Sequence, residues 1–244
     1  MMDFAGKRVL VTGATGGIGG ALALALRTAG AVVVVHGRDA RRLGALADAG
    51  FETVAAELDE PGAAVALVAQ VLAGGPLDVL VNNAAVQVLM DFRGDDVEGQ
   101  LASLDRELAV NLRAPIHLTR LFLPTLLARP AAAVVNISSG LALVPKQSSP
   151  VYCATKAALH SFSRSLRWQL DGTSVRVFEA LPPVVDTEMT RGRGTGKISP
   201  ERCAAEILRG LQRDQATHFV GRSAWLAAMA RLAPDFAERI MRRS

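Results

Sequence analysis

One tyrosine, two cysteines and four lysines are all that 244 residues contain of these types, and aromatic residues make up only 5%. Cys153 and Cys203 lie far apart, and neither has a histidine at ligand spacing. Neither a disulfide framework nor a zinc site is therefore indicated. Long apolar runs are missing as well: the best, residues 121–128, is short and broken by Pro124. A spanning helix needs about 18 uncharged apolar residues or more, so none is expected. Met1-Met2-Asp3 leads into polar and basic residues without an apolar leader, and a cytoplasmic location is expected.

Charge is modest but unevenly placed. The balance is 27 − 23 = +4, and residues 201–244 hold eight arginines against five acids, 8 − 5 = +3. A basic tail invites a nucleic-acid or anionic-membrane partner, whereas arginines on the polar faces of amphipathic helices are the plainer explanation. Residues 222–243 contain Trp225, Leu226, Met229, Leu232, Phe236, Ile240 and Met241 among five arginines, with an interruption at Pro234. Docking on the protein body or a partner subunit is the first expectation for this segment, and peripheral contact with anionic membrane the second. No nucleic-acid partner is expected, because no recognition motif accompanies the charge.

What is present is an alternation. Residues 8–12 (RVLVT), 32–36 (VVVVH), 53–57, 78–82 (DVLVN), 133–138 and 174–181 read as six strands. Helical stretches at 18–29, 40–49, 61–73, 97–113, 115–128 and 151–170 separate them, with a break expected at Pro115. Continuous apolar strand runs are buried on both faces, and strands alternating with helices give a parallel sheet. The expected fold is α/β, a single Rossmann-type doubly wound parallel-sheet domain.

The first strand runs into Thr12-Gly13-Ala14-Thr15-Gly16-Gly17-Ile18-Gly19 and then a helix. Glycines there permit a tight turn and let the backbone approach a pyrophosphate at the helix N-terminus. Both Gly13/Gly17/Gly19 and Gly13/Gly16/Gly19 spacings are satisfied. After the second strand the chain reads His36-Gly37-Arg38-Asp39. An acid at this strand end would bind the ribose 2′-hydroxyl of NAD, and a cation the 2′-phosphate of NADP. Gly37 takes the acidic position and Arg38 follows, so NADPH is preferred over NADH. Asp39 is either a ribose ligand or a helix N-cap.

Tyr152 and Lys156 are spaced i, i+4 and share one helical face. A nearby ammonium would stabilise phenolate and draw the tyrosine pKa down toward working pH, as suits a proton donor to a carbonyl oxygen during hydride transfer. Ser138-Ser139 ends the fifth strand, where a hydroxyl could hold the substrate oxygen. His36, His117, His160 and His218 have no ligand partners at motif spacing and read as structural or surface residues.

Together these motifs resemble the short-chain dehydrogenase/reductase family over nearly the whole chain, and its branch named after DltE in particular. Asn82-Asn83-Ala84-Ala85 resembles the family's Asn-Asn-Ala-Gly, and Pro182-Pro183-Val184-Val185-Asp186-Thr187 its Pro-Gly segment. The resemblance implies a catalytic set of Asn111, Ser139, Tyr152 and Lys156, with Ser139 chosen over Ser138 because it lies 13 residues before Tyr152. It implies cofactor contacts from Gly13, Thr15, Gly16, Gly17, Ile18, Gly19, Arg38, Glu57, Leu58, Asn83, Ala84, Ala85, Tyr152, Lys156, Pro182, Val185 and Thr187. Asp59 is a rival to Glu57. Leu141, Val144 and Val184 either line a substrate pocket or pack in the core, and residues 190–199 form either a loop closing over substrate or a plain surface connection.

The implied activity is NADP(H)-dependent interconversion of a small-molecule ketone or aldehyde and its alcohol, in a homodimer or homotetramer. Residues 1–221 would be the catalytic domain and 222–244 a helical extension. An NADP(H)-responsive binding protein and a nucleotide-sugar-modifying relative are the alternatives.

Overall fold

The computed structural model describes residues 2–242; Met1, Arg243 and Ser244, the outermost residues of the two expected segments, lie outside it. Seven strands form one parallel sheet: β1 (Arg8–Val11), β2 (Val32–Gly37), β3 (Glu52–Ala55), β4 (Val79–Asn82), β5 (Ala132–Ile137), β6 (Val175–Leu181) and β7 (Thr217–Phe219). Their order is β3-β2-β1-β4-β5-β6-β7. The strand order reverses beside β1, and a ligand crevice opens there, beyond the carboxyl ends of β1 and β4. The edge strand β7 is three residues of Thr-His-Phe, too short and too polar to read as a strand from sequence.

The continuous apolar runs are buried on both sides, as parallel strands require. Val9, Val11, Val33, Val35, Val79 and Val81 face one core, packed by helices α1 (Gly17–Thr28) and α2 (Ala40–Asp48). Leu10, Val34, Leu80 and Val134 face the other, under α3 (Ala63–Ala73). The expected break at Pro115 is absent. Helix α4 (Val97–Leu108) continues through a π-helical turn at Ala109–Arg113 into α5 (Ala114–Leu127), and Pro115 sits in the first turn of α5. A proline is tolerated there because first-turn amides have few helical acceptors, and the widened turn absorbs the irregularity.

Next comes α6 (Pro150–Gln169), which covers the second core with α5. Helix α7 (Pro200–Gln212) closes the first core against α1 through Cys203, Ala204, Ile207 and Leu211. The C-terminal pair α8 (Ser223–Leu232) and α9 (Pro234–Met241) packs on the body by one side only. Met229 and Ala237 are buried against Val144, whereas Trp225, Leu232, Phe236 and Ile240 remain exposed. Val144 is thus a core residue rather than a pocket wall. No helix among the described residues is long and apolar enough to cross a membrane.

A row of polar side chains crosses the second face in register. Asn82 pairs with Asn136, Asn136 with Glu179, and Glu179 with Thr217 along β4 to β7. Asn82 Nδ2 donates to Asn136 Oδ1 at 2.9 Å, and Asn136 Nδ2 to Ser163 Oγ of α6 at 2.8 Å. Asn136 and Ser163 are fully buried, so each lost partner exposes a desolvation cost. Replacing Asn136 by Leu is expected to destabilise the fold by about 2 kcal/mol, read as a lower urea midpoint at unchanged slope.

Candidate active site

The glycine turn between β1 and α1 is built for close backbone approach. Gly13 has φ +65°, and a Cβ there would lie 2.8 Å from Ala84 Cα. Thr12 Oγ1 accepts from the backbone N–H groups of Asn83 (2.9 Å) and Ala84 (3.0 Å), tying the turn to the chain leaving β4. Gly16 caps α1 without a side-chain hydrogen bond, so the first amides of the helix stay open to an anion. Beside them runs a cleft of about 560 Å³. Its walls include Gly13, Thr15, Gly16, Gly17, Ile18, Gly19, Arg38, Glu57, Leu58, Asn83, Ala84, Ala85, Tyr152, Lys156 and Thr187.

Two expected contacts are not among these walls. Val185 is buried in the first core, and Pro182 uses its carbonyl to accept from Gly140 N–H. Asp59 lines the cleft, but Arg106 holds its carboxylate at 3.2 Å. Asp39 is resolved as the N-cap of α2, accepting from Arg42 N–H.

The strand-end test of cofactor type has a steric answer. A Cβ at Gly37 would lie 2.3 Å from Thr15 Cγ2, so a side chain at that position would have to displace the Thr15 methyl. Two guanidinium groups flank the gap instead. Arg38 is half-exposed and faces Glu57 at 4.0 Å. Arg42, which the sequence reading missed, lines the same cleft from the first turn of α2. It makes two hydrogen bonds, 3.2 and 3.1 Å, to the Glu188 carboxylate on the opposite rim. No local motif marks this pair, whose members are 146 residues apart. A backbone cradle, open helix amides and two cations fit the phosphates of a dinucleotide, the 2′-phosphate included.

The reacting groups stand on α6 and at the end of β5. Lys156 is buried and its Nζ donates to the Ile137 carbonyl at 2.9 Å. Burial pulls its ammonium down to about 8, with Glu179 opposing the fall. Nζ lies 5.6 Å from the centre of the Tyr152 ring. Tyr152 corrects an expectation: its phenol is driven above the usual value by burial, while the Ser139 hydrogen bond pulls the other way. The phenol is therefore held as a proton donor. Ser139 is the serine paired with it, whereas Ser138 Oγ donates to the Lys156 carbonyl at 3.4 Å.

Asn111 lies in the π turn, fully buried. Its side chain brackets Val86, donating to the carbonyl and accepting from the N–H, both at 2.8 Å. Its own main-chain carbonyl has Pro115 four residues ahead, which has no N–H to give. One turn earlier Glu107, also fully buried, accepts from Val88 N–H at 2.9 Å and clamps the same loop. Residues 190–199 form a loop pinned at its base, with Val185 bridged to Ile198 and Lys197 Nζ donating to Asp186 and the Thr190 carbonyl.

A sheet of this order with a glycine cradle, an open helix end and a buried Tyr–Lys pair beside a serine defines a dinucleotide-dependent oxidoreductase. The chain belongs to the short chain dehydrogenase family, whose model matches residues 7–197. It is 42% identical over 193 residues to Uncharacterized oxidoreductase DltE of Bacillus subtilis (strain 168), covering 78% of this chain and 76% of that one. L-xylulose reductase of Mesocricetus auratus is 38% identical over 193 residues, again 78% and 76% of the two chains. Among solved structures, a short chain dehydrogenase from Burkholderia cenocepacia J2315 in complex with NADP superposes with a TM-score of 0.84 at 26% identity. That match covers 98% of this chain and 99% of the other.

His36 is structural, as expected, yet it belongs to the cleft. Its Nδ1 accepts from Gly13 N–H at 3.2 Å and its Nε2 meets the Ala56 carbonyl at 3.1 Å. That arrangement needs the neutral ring with hydrogen on Nε2, since a proton on Nδ1 would face another donor. Burial lowers its pKa from 6.5 to about 4. Between those values the unfolded chain binds more protons, so stability is complete above pH 6.5 and drains as pH falls toward 4. The loss attributable to His36 is about 3 kcal/mol. Denaturant titrations of wild type and His36→Gln across this window should show the variant flatter by that amount.

Proposed function

We propose that the protein reduces the ketone or aldehyde carbonyl of a small molecule, or oxidises the matching secondary alcohol, with NADP(H) as its cofactor. The observation that carries this reading is the buried Tyr152–Lys156 pair on the wall of a cleft whose strand-end gap is flanked by Arg38 and Arg42, with Ser139 hydrogen-bonded to the phenol. The L-xylulose reductase relative and the NADP-bound neighbour support the same direction.

Bound dinucleotide would supply the hydride. Ser139 and Tyr152 hold the substrate oxygen, and the phenol, kept protonated by burial, gives that oxygen its proton. Lys156 would hold the nicotinamide ribose, and its ammonium stabilises the phenolate left behind. Asn111 would hold a water that reconnects Lys156 to solvent. Glu107 and Asn111 keep the 86–88 loop in place beside them. Arg38 and Arg42 would grip the 2′-phosphate, Arg42 exchanging its Glu188 partner for the ligand. The assembly we infer is a homodimer or homotetramer, with residues 1–221 as the catalytic body and 222–244 as an appended helical segment. Exposed Leu101, Leu108 and Trp168 on α4 and α6 support such pairing.

Two measurements test the reading. Tyr152→Phe should lower NADPH-dependent turnover on a ketone panel by about 10²-fold or more, while NADPH binding by fluorescence stays near wild type; near-wild-type turnover would refute it. Arg42→Ala should weaken NADPH binding about tenfold through loss of a charge-assisted bond, leaving NADH binding unchanged. Equal loss for both cofactors would assign Arg42 to the latch with Glu188 alone.

A further inference from the structure

Behind the Tyr–Lys pair lies a second buried pair that the reaction as described does not use. Glu179 of β6 is 1% exposed, and its Oε2 accepts from His160 Nδ1 at 2.7 Å. Its other oxygen, Oε1, is buried without a hydrogen-bond partner among the described residues. Along α6 the spacing is regular: Tyr152, Lys156 and His160 follow one another at i, i+4 on one face. The strand register brings Glu179 alongside Asn136, the residue before Ile137, whose carbonyl takes the Lys156 ammonium. A carboxylate thus sits one helical turn behind the reacting lysine.

The groups around Glu179 are mostly cationic or protonatable. From α6 it faces Lys156, His160 and Arg167, and the charges of Lys156 and Arg167 both respond to it. From β5 it meets Asn136, whose amide is already spent on Asn82 and Ser163. From β7 it meets Thr217, which has no charge. One buried carboxylate therefore stands among several cationic or protonatable groups. A buried carboxylate with a bare oxygen is costly unless a nearby charge compensates it. Lys156 is a buried cation on the same helical face, and its charge responds to Glu179.

We infer that Glu179 and His160 are a positioning pair for Lys156: the carboxylate keeps the ammonium charged behind Tyr152, and His160 holds the carboxylate oriented. His160 is partly open to solvent at its side chain, 21% exposed, so it links the buried charge to the outside. This inference rests on the assignment of Lys156 to the reacting set, but its test does not depend on turnover.

The four lysines make the measurement direct. Lysine labelled with ¹³C at Cε should give four NMR signals, with that of Lys156 identified by its loss in Lys156→Arg. In wild type this signal should titrate near 8. In Glu179→Gln it should titrate about one pH unit lower or more, a tenfold fall in the charged fraction at a given alkaline pH. The alkaline limb of ketone reduction should move with it. His160→Leu, which strips the carboxylate of its donor, should act in the same sense, and His160→Asn, which restores an amide donor, should return the titration toward wild type. If Glu179→Gln fails to fold, the His160 series carries the test by itself. An unmoved Lys156 titration in a folded Glu179→Gln or His160→Leu protein overturns the inference. Equal titrations in His160→Asn and His160→Leu overturn the part assigned to His160. Turnover surviving in Tyr152→Phe would instead strike the proposed reaction and leave this titration to stand or fall separately.

Discussion

A single charge out of water, the Lys156 ammonium, sets the terms for this site. Burying it costs several kcal/mol unless fixed dipoles and an opposite charge replace the lost water. Both are present, the Ile137 carbonyl at 2.9 Å and the Glu179 carboxylate behind it. Neither could be supplied by a flexible loop. The carbonyl stands at the carboxyl end of a central strand, and the carboxylate is placed by register on the next one. Holding the lysine therefore requires β5, β6 and α6 to be docked in one relation, and that relation also delivers Tyr152 to the cleft and Ser139 to its phenol.

The rest of the site is held by side chains that bond to backbone rather than to each other. Thr12 ties the glycine turn to the segment after β4, and Asn111 and Glu107 fasten that segment further along. His36 ties the same turn to the end of β3. Each clamp is buried or nearly so, where a lost partner is expensive. The π turn serves this scheme: it places the Asn111 side chain against Val86. The gap at the end of β2 is set by shape as well as by charge, because the Thr15 methyl lies where a side chain at position 37 would begin and Arg38 and Arg42 stand beside it.

Much of this was legible in the chain. The β-branched runs at residues 32–36 and 78–82 specify buried parallel strands because nothing polar interrupts them, and both are found as such. The glycine turn and the Tyr152–Lys156 spacing are local patterns, readable because a turn or one helical face contains them entirely. The edge strand β7 escaped notice because three residues with a histidine in the middle carry no periodic signal. Pro115 was misread as a break, since a first-turn proline and an interrupting proline look alike until the preceding turn is known to be π-helical. The direction of the Tyr152 shift was misjudged for a related reason: spacing reveals a neighbouring cation but not how completely the phenol is buried.

The amino-acid sequence by itself determined the alternation of elements, the cradle for a dinucleotide and the residue types available for proton transfer. These depend on contacts within a turn or two of chain. The pairing of Arg42 with Glu188 across the cleft, the burial of Lys156 and the alignment of Asn82, Asn136, Glu179 and Thr217 were decided only by the tertiary structure. They join residues tens to more than a hundred positions apart. Their energies depend on desolvation, which exists only once the sheet and its covering helices exclude water.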